Sequence, residues 1–199
     1  MLRNKTLLLF LLKALIIYVL LSLPFSFYDE GYGNLYRKMS GALFGKFREK
    51  GFVIFNESKE PATTHINVGN CTQIHPDGSC NTASADMNTR YLGFIPAILM
   101  ISLTLASPVP WKRKLIALLA GLILLTLLII FKQWIALLAI CEQNPWLDLT
   151  NFTGTTKKLL AFTNTFISSY SSTILYFVVP IWLLVTFRLE DFKVRTEKK

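Results

Sequence analysis

Residues 88–114 read NTRYLGFIPAILMISLTLASPVPWKRK, and the placement of every other segment follows from them. Arg90 and Tyr91 stand before an apolar run that ends at Ser107. Pro108 and Pro110 stop a helix there, because proline lacks the N–H that a helical ladder needs and its ring crowds the preceding turn. Trp111 and the basic cluster Lys112, Arg113 and Lys114 come next. Indole rings and long cationic stems settle at lipid headgroups, so an apolar stretch rimmed by them suits a lipid–water boundary. The stretch predicts a membrane helix over 91–107 and a turn over 108–114, with Trp111, Lys112, Arg113 and Lys114 as interfacial anchors.

Toward the C-terminus, 115–140 is a run of Leu, Ile and Ala broken only near FKQW. Its length exceeds the roughly 20 residues needed to cross about 30 Å of hydrocarbon, so Lys132, Gln133 and Trp134 reach the far interface. Trp134 is a further anchor. A polar segment over 141–170 and an apolar run over 171–188 follow, and 189–199 is a charged tail. Toward the N-terminus, 6–27 is apolar apart from Lys13, whose stem can carry its charge to the headgroups. That run has no small-residue cleavage site after it, so it reads as an uncleaved anchor.

Composition agrees with a membrane protein. The 199 residues are 52% hydrophobic, and the formal net charge is +9. The cations gather at the chain ends and beside apolar runs, which suits lipid phosphates and gives no nucleic-acid motif. Ten of them (Arg3, Lys5, Lys112, Arg113, Lys114, Arg188, Lys193, Arg195, Lys198, Lys199) fall in segments that would share one side. The short segment over 141–170 has only Lys157 and Lys158. By the positive-inside bias, both termini are cytoplasmic. The expected fold is an α-helical membrane protein with four transmembrane helices and a small α+β extracytoplasmic module, residues 28–90, between the first and second.

Within that module, Leu35, Met39, Leu43 and Phe47 recur every four residues over 34–50, with Phe44 beside them, and make one stripe on a helix. The stripe could lie in the headgroup plane or cover the rest of the module. GFVIFNE is then read with Phe52 and Ile54 as its alternating set, and HINVGN alternates Ile66 and Val68, so two short strands are expected. CTQIHPDGSC holds a Pro-Asp-Gly turn between Cys71 and Cys80, a hairpin that a disulfide would close in an oxidising compartment.

Other chemistry is possible at the same residues. His65, Cys71, His75 and Cys80 are zinc-ligand types, but they lack the close Cys-x-x-Cys or His-x-x-x-His pair of usual sites. A thiol nucleophile could be built on Cys80 or Cys141 with His65 or His75 as base, given an electropositive pocket. Arg90, Tyr91 and Lys132 would cap spans on the outer face and, with Asp86 or Glu142, form a polar contact surface for a partner. Asn56-Glu-Ser, Asn70-Cys-Thr and Asn151-Phe-Thr are glycosylation sequons. No cofactor is expected.

The run from Asn88 to Leu125 resembles the small membrane proteins that accompany exosortases, bacterial enzymes that process sorting tails on surface proteins. Arg90, Tyr91, Gly93, Pro96, Ser107, Pro108, Pro110, Trp111, Lys112, Arg113, Lys114 and, further on, Lys132 carry the resemblance, over about residues 88–132. It implies a non-enzymatic accessory protein of a bacterial inner membrane, with an exosortase or its substrate as membrane partner and the module outside. Exosortases use a Cys followed by Arg residues among more spans, a pattern this chain lacks. The alternatives are a membrane-embedded thiol protease or transpeptidase, and a membrane sensor or assembly subunit.

Overall fold

A computed structural model describes residues 2–23, 25–74, 78–150, 152, 154–168 and 173–187. The elements run α1 (Leu2–Ser22), α2 (Phe25–Phe44), β1 (Lys46–Phe47), β2 (Gly51–Glu57), β3 (Thr63–Ile74), β4 (Cys80–Asn88), a π-helical turn (Arg90–Phe94), α3 (Ile95–Ala106), α4 (Trp111–Gln143), a 3₁₀ turn (Pro145–Leu147), α5 (Gly154–Ser168) and α6 (Thr173–Thr186). They divide into a helical unit, drawn from residues 1–25, 93–128 and 174–199, and a sheet-bearing unit, drawn from 26–92 and 129–173.

This architecture corrects the four-span expectation. The fold is mixed, with one antiparallel four-stranded sheet, and among the described residues only Trp111–Gln143 is long and apolar enough to cross a membrane. The apolar helices at Leu7–Ser22, Arg90–Ala106 and Ile174–Thr186 have 10–17 residues each. At about 1.5 Å per residue Arg90–Ala106 and Ile174–Thr186 reach roughly 20–26 Å, short of a hydrocarbon core of about 30 Å, and Leu7–Ser22 is the apolar part of the longer α1. Hydropathy counts apolar residues, whereas the backbone decides where each helix stops.

In the helical unit, Gly121 of α4 lies directly against the Met100 side chain of α3, where a Cβ would collide with it. Ser102, Thr104 and Ser107 each donate a hydroxyl proton to the carbonyl four residues back, at 2.7, 2.8 and 2.7 Å. Polar atoms turned onto their own helix in this way leave an apolar surface. Ser107 also accepts from the Trp182 indole N–H at 3.1 Å, and Trp182 stacks on Phe10 with ring centroids 5.6 Å apart. Lys114 donates to the Leu105 carbonyl at 2.6 Å, which satisfies one of the free acceptors at the end of α3.

In the sheet-bearing unit the strands form a meander, β1-β2-β3-β4, with Val53 opposite Val68 and Ile66 opposite Ala85. One face carries Val53, Ile66, Val68 and Ala83 and is covered by Phe44 of α2, by Leu137 and Cys141 of α4, and by Leu147 and Leu149. As expected, Ile66 and Val68 are buried. On β2 the inward set is Val53 with Phe55, so Phe52 and Ile54 point the other way. The far end of the Phe52 ring lies against Gly69, whose missing side chain makes room for it.

Two further differences bear on the surface. The helix α2 turns Tyr36, Ser40 and Phe44 inward, leaving Leu35, Met39 and Leu43 in the open. Ser40 donates to Gln133 of α4 at 3.1 Å, and the Tyr36 hydroxyl meets Met87 Sδ at 3.1 Å. Residues 80–88, polar and unmarked as a strand in the sequence, pair with β3 along their whole length.

Cys71 and Cys80 are disulfide-bonded, nine residues apart, and close the β3–β4 hairpin beside a break in register between Asn70 and Ile74. A loop of that size removes about 2–3 kcal/mol of unfolded-chain entropy on cross-linking. Reduction is therefore expected to lower the unfolding free energy by about that amount, read as a shifted urea midpoint with and without reductant.

Candidate functional site

The last strand in the sheet order is β4, so among the described residues its outer side carries no further strand. At its start the Asn81 amide reaches the Trp146 carbonyl at 3.4 Å. Beyond that, a recess of about 260 Å³ opens between β4 and α4. Residues 85–88 form one wall, and Ile66 and Leu92 add apolar surface to it. The other wall is a single helical stripe, Lys132, Ala136, Ala139 and Gln143, at the three- and four-residue steps that share a face. The recess exists because two positions of a leucine-rich helix hold alanine.

Its chemistry is mixed. Lys132 is a buried cation on the helix wall. Asp86, on the strand wall, has Oδ1 2.7 Å from His65 Nδ1, so the Nδ1–H form of the imidazole donates to the carboxylate. Met87 lies at 3.1 Å from the Tyr36 hydroxyl, whose ionisation burial pushes far above the usual phenol range. An exposed sheet edge with unpaired amides and carbonyls is a template for an extended chain. The recess beside it would take one apolar side chain between the buried Lys132 on the helix wall and the more open Asp86 on the strand wall.

Of the partner surface expected from the sequence, Lys132 and Asp86 do line one recess. Arg90 sits on the π-helical turn just after β4, with its guanidinium 6.0 Å from the Tyr91 ring centre. Glu142 is instead ion-paired to Lys157 at 2.7 Å. Ala136, Ala139 and Asn88 were not expected. The one signal for them is the pair of small residues in a leucine-rich helix.

The expected anchors Trp111, Lys112 and Trp134 are exposed, and Lys114 sits 5.2 Å over the Trp111 ring. Arg113 is half-buried on the first turn of α4.

The alternative chemistries lose their groups. Cys71 and Cys80 are bonded to each other, which removes two of the four proposed zinc ligands and one candidate nucleophile. His75 lies outside the described residues. Among the described residues, no three His, Cys, Asp or Glu side chains group as a metal site would require. Cys141 is buried in the core, and that burial pushes its thiol up to about 11, with Arg48 pulling weakly the other way. A nucleophile needs an accessible thiolate, and Cys141 offers neither access nor ionisation.

Asn70 shows that a sequon can be structural. Its amide is buried, donating to the Leu147 carbonyl at 2.8 Å, while its oxygen accepts from the Thr72 N–H at 2.9 Å and hydroxyl at 2.8 Å. Asn56 is exposed on β2, and Asn151 lies outside the described residues. Compared with family models, curated proteins and solved structures, the chain finds no match.

Proposed function

We propose that the protein is a non-enzymatic accessory protein of a bacterial inner membrane. It holds an extended segment of another membrane protein against the outer edge of β4. The observation that carries this reading is the recess between β4 and α4, lined by Lys132 and Asp86, beside a strand that ends the sheet order. Strand addition draws affinity from main-chain hydrogen bonds and specificity from such a pocket.

Anchoring is supported by the first two-thirds of α4. A helix of 33 residues spans about 50 Å, and the most apolar stretch of it, with mean hydropathy 2.8, is only 17% buried. Residues 111–131 would cross the bilayer, leaving the part of α4 from Lys132 onward with the sheet-bearing unit. Exposed leucines on α1 and α4, among them Leu8, Leu12, Leu119 and Leu127, suit contact with lipid better than with water. The resemblance of residues 88–132 to exosortase-associated proteins supplies the partner, an exosortase or the sorting tail it processes. The positive-inside bias at Lys112 to Lys114 supports an outer position for the sheet-bearing unit.

The test is co-purification in mild detergent with the exosortase encoded in the same genome, comparing the native chain with Ala136→Leu. The leucine fills the recess from a partly exposed position, so folding should persist. Capture is expected to fall about tenfold, equivalent to ~1.4 kcal/mol, with unchanged thermal unfolding. Undiminished capture by a normally folded variant would show that the recess is not the contact.

A further inference from the structure

A second surface on the sheet-bearing unit has no assigned role. Along α2, Leu35, Met39 and Leu43 are 55%, 42% and 54% exposed, although they are the apolar residues whose spacing would mark a buried stripe. The helix cannot roll to hide them. Phe44 is fixed in the core, Tyr36 packs edge-on against Phe55 with centroids 6.5 Å apart, and Ser40 is bonded to Gln133. At 100° per residue, the exposed stripe lies about a quarter-turn from this anchored one. The surface is therefore held open by the packing on its other side.

Its border is basic at Lys38, exposed one residue before Met39, and the exposed Lys46 and Lys50 lie on the chain beyond the end of α2. Arg37 is engaged by the Asn34 side chain at 2.7 Å and sits 4.0 Å from Glu57. In sequence, α2 follows the apolar α1 after only Leu23 and Pro24. An amphipathic helix with leucine and methionine on one face and lysine at its border is the arrangement that beds into the headgroup layer of an anionic bilayer.

We propose that the Leu35–Met39–Leu43 face of α2 is a membrane-binding surface that lies in the headgroup layer of an anionic bilayer and sets the sheet-bearing unit down on the lipid. This rests on the membrane reading above but not on the recess or its partner. It adds a second lipid contact, parallel to the membrane plane, and leaves the β4 edge free for a protein.

The full-length chain carrying a nitroxide label on a single introduced Cys, at Leu35, Met39 or Leu43, is reconstituted into phosphatidylcholine vesicles with phosphatidylglycerol. Power saturation then compares collisions with oxygen, which concentrates in lipid, and with a water-soluble nickel chelate. A label at Leu119 on α4 reports whether the helical unit is in the bilayer, and one at Lys59 on the β2–β3 connection reports water. The expected result is oxygen over nickel at all three α2 positions and at Leu119, and nickel over oxygen at Lys59. Omitting phosphatidylglycerol, or replacing Lys38, Lys46 and Lys50 by Gln, should lower the oxygen-to-nickel ratio at Met39.

Nickel over oxygen at the α2 positions with Leu119 in lipid would overturn this surface alone. Nickel over oxygen at Leu119 as well would overturn the membrane reading with it. Spin–spin broadening between labels at Met39 would give the face to a second copy of the chain, and an unchanged ratio on removing the charges would rule out the anionic headgroup.

Discussion

Leu137→Ala should lower the unfolding free energy of the sheet-bearing unit by about 3–5 kcal/mol. Leu137 is wholly buried where the last turns of α4 meet the sheet, in one cluster with Phe44, Val53, Ile66 and Val68. Removing its three terminal carbons loses their transfer from water and leaves a cavity. The neighbours are poorly able to close it, because the strands are fixed in register and α2 is tied to Gln133 one turn away. The measurement is a urea titration in mild detergent, followed by amide exchange of β2 and β3. Leu119→Ala, on the exposed side of the same helix, is the comparison and should shift the midpoint little. A change below about 1 kcal/mol at Leu137 would be outside the range for a fully buried leucine and would contradict this packing.

The second large effect is expected at Asn70. Its one side chain satisfies the Leu147 carbonyl and both polar groups of Thr72, and so ties the 3₁₀ turn after α4 to the sheet beside the Cys71–Cys80 bond. In Asn70→Ala, Thr72 can turn to water, but the buried Leu147 carbonyl loses its donor. An unsatisfied buried acceptor costs about 1–3 kcal/mol, and the lost amide volume adds to it. The expected total is about 2–4 kcal/mol. Asn70→Asp is the harsher variant, because it keeps the acceptor for Thr72 but sets a buried carboxylate oxygen against the Leu147 carbonyl in place of the donor. If Asn70→Asp is as stable as the native chain, that hydrogen bond does not hold the turn.

How much of this was legible depends on the kind of signal. The Ile66 and Val68 alternation marks an inward face because their neighbours are polar. On β2, Phe52, Val53, Ile54 and Phe55 are all apolar, so a two-residue period cannot choose between the faces, and the choice falls to pairing with β3. On α2, Leu35, Met39 and Leu43 make the more hydrophobic stripe, yet the buried one is Tyr36, Ser40 and Phe44, because Ser40 and Tyr36 find polar partners in Gln133 and Met87. The disulfide was readable from a short loop with turn residues. The four spans were not, since composition located the apolar runs but not their helical lengths. Of the recess, Lys132 and Asp86 could be singled out as candidates. Their sharing a surface is an expectation from topology, but the recess between them was not legible, because the sequence does not mark β4 as a strand and the end of α4 lies more than forty residues away.

The make-up of β4 bears on self-association. Its residues, Cys80 through Asn88, hold one β-branched side chain, Thr82, and one large apolar side chain, Met87, and Asp86 adds a charge. Such a strand gains little by zipping to the same strand of another copy, since like charges would meet and few side chains would interlock. The open edge is thereby protected against self-association without being covered. A segment that does bind there has to bring its own apolar side chain to the recess, so the selectivity of the edge would lie in what the visitor carries.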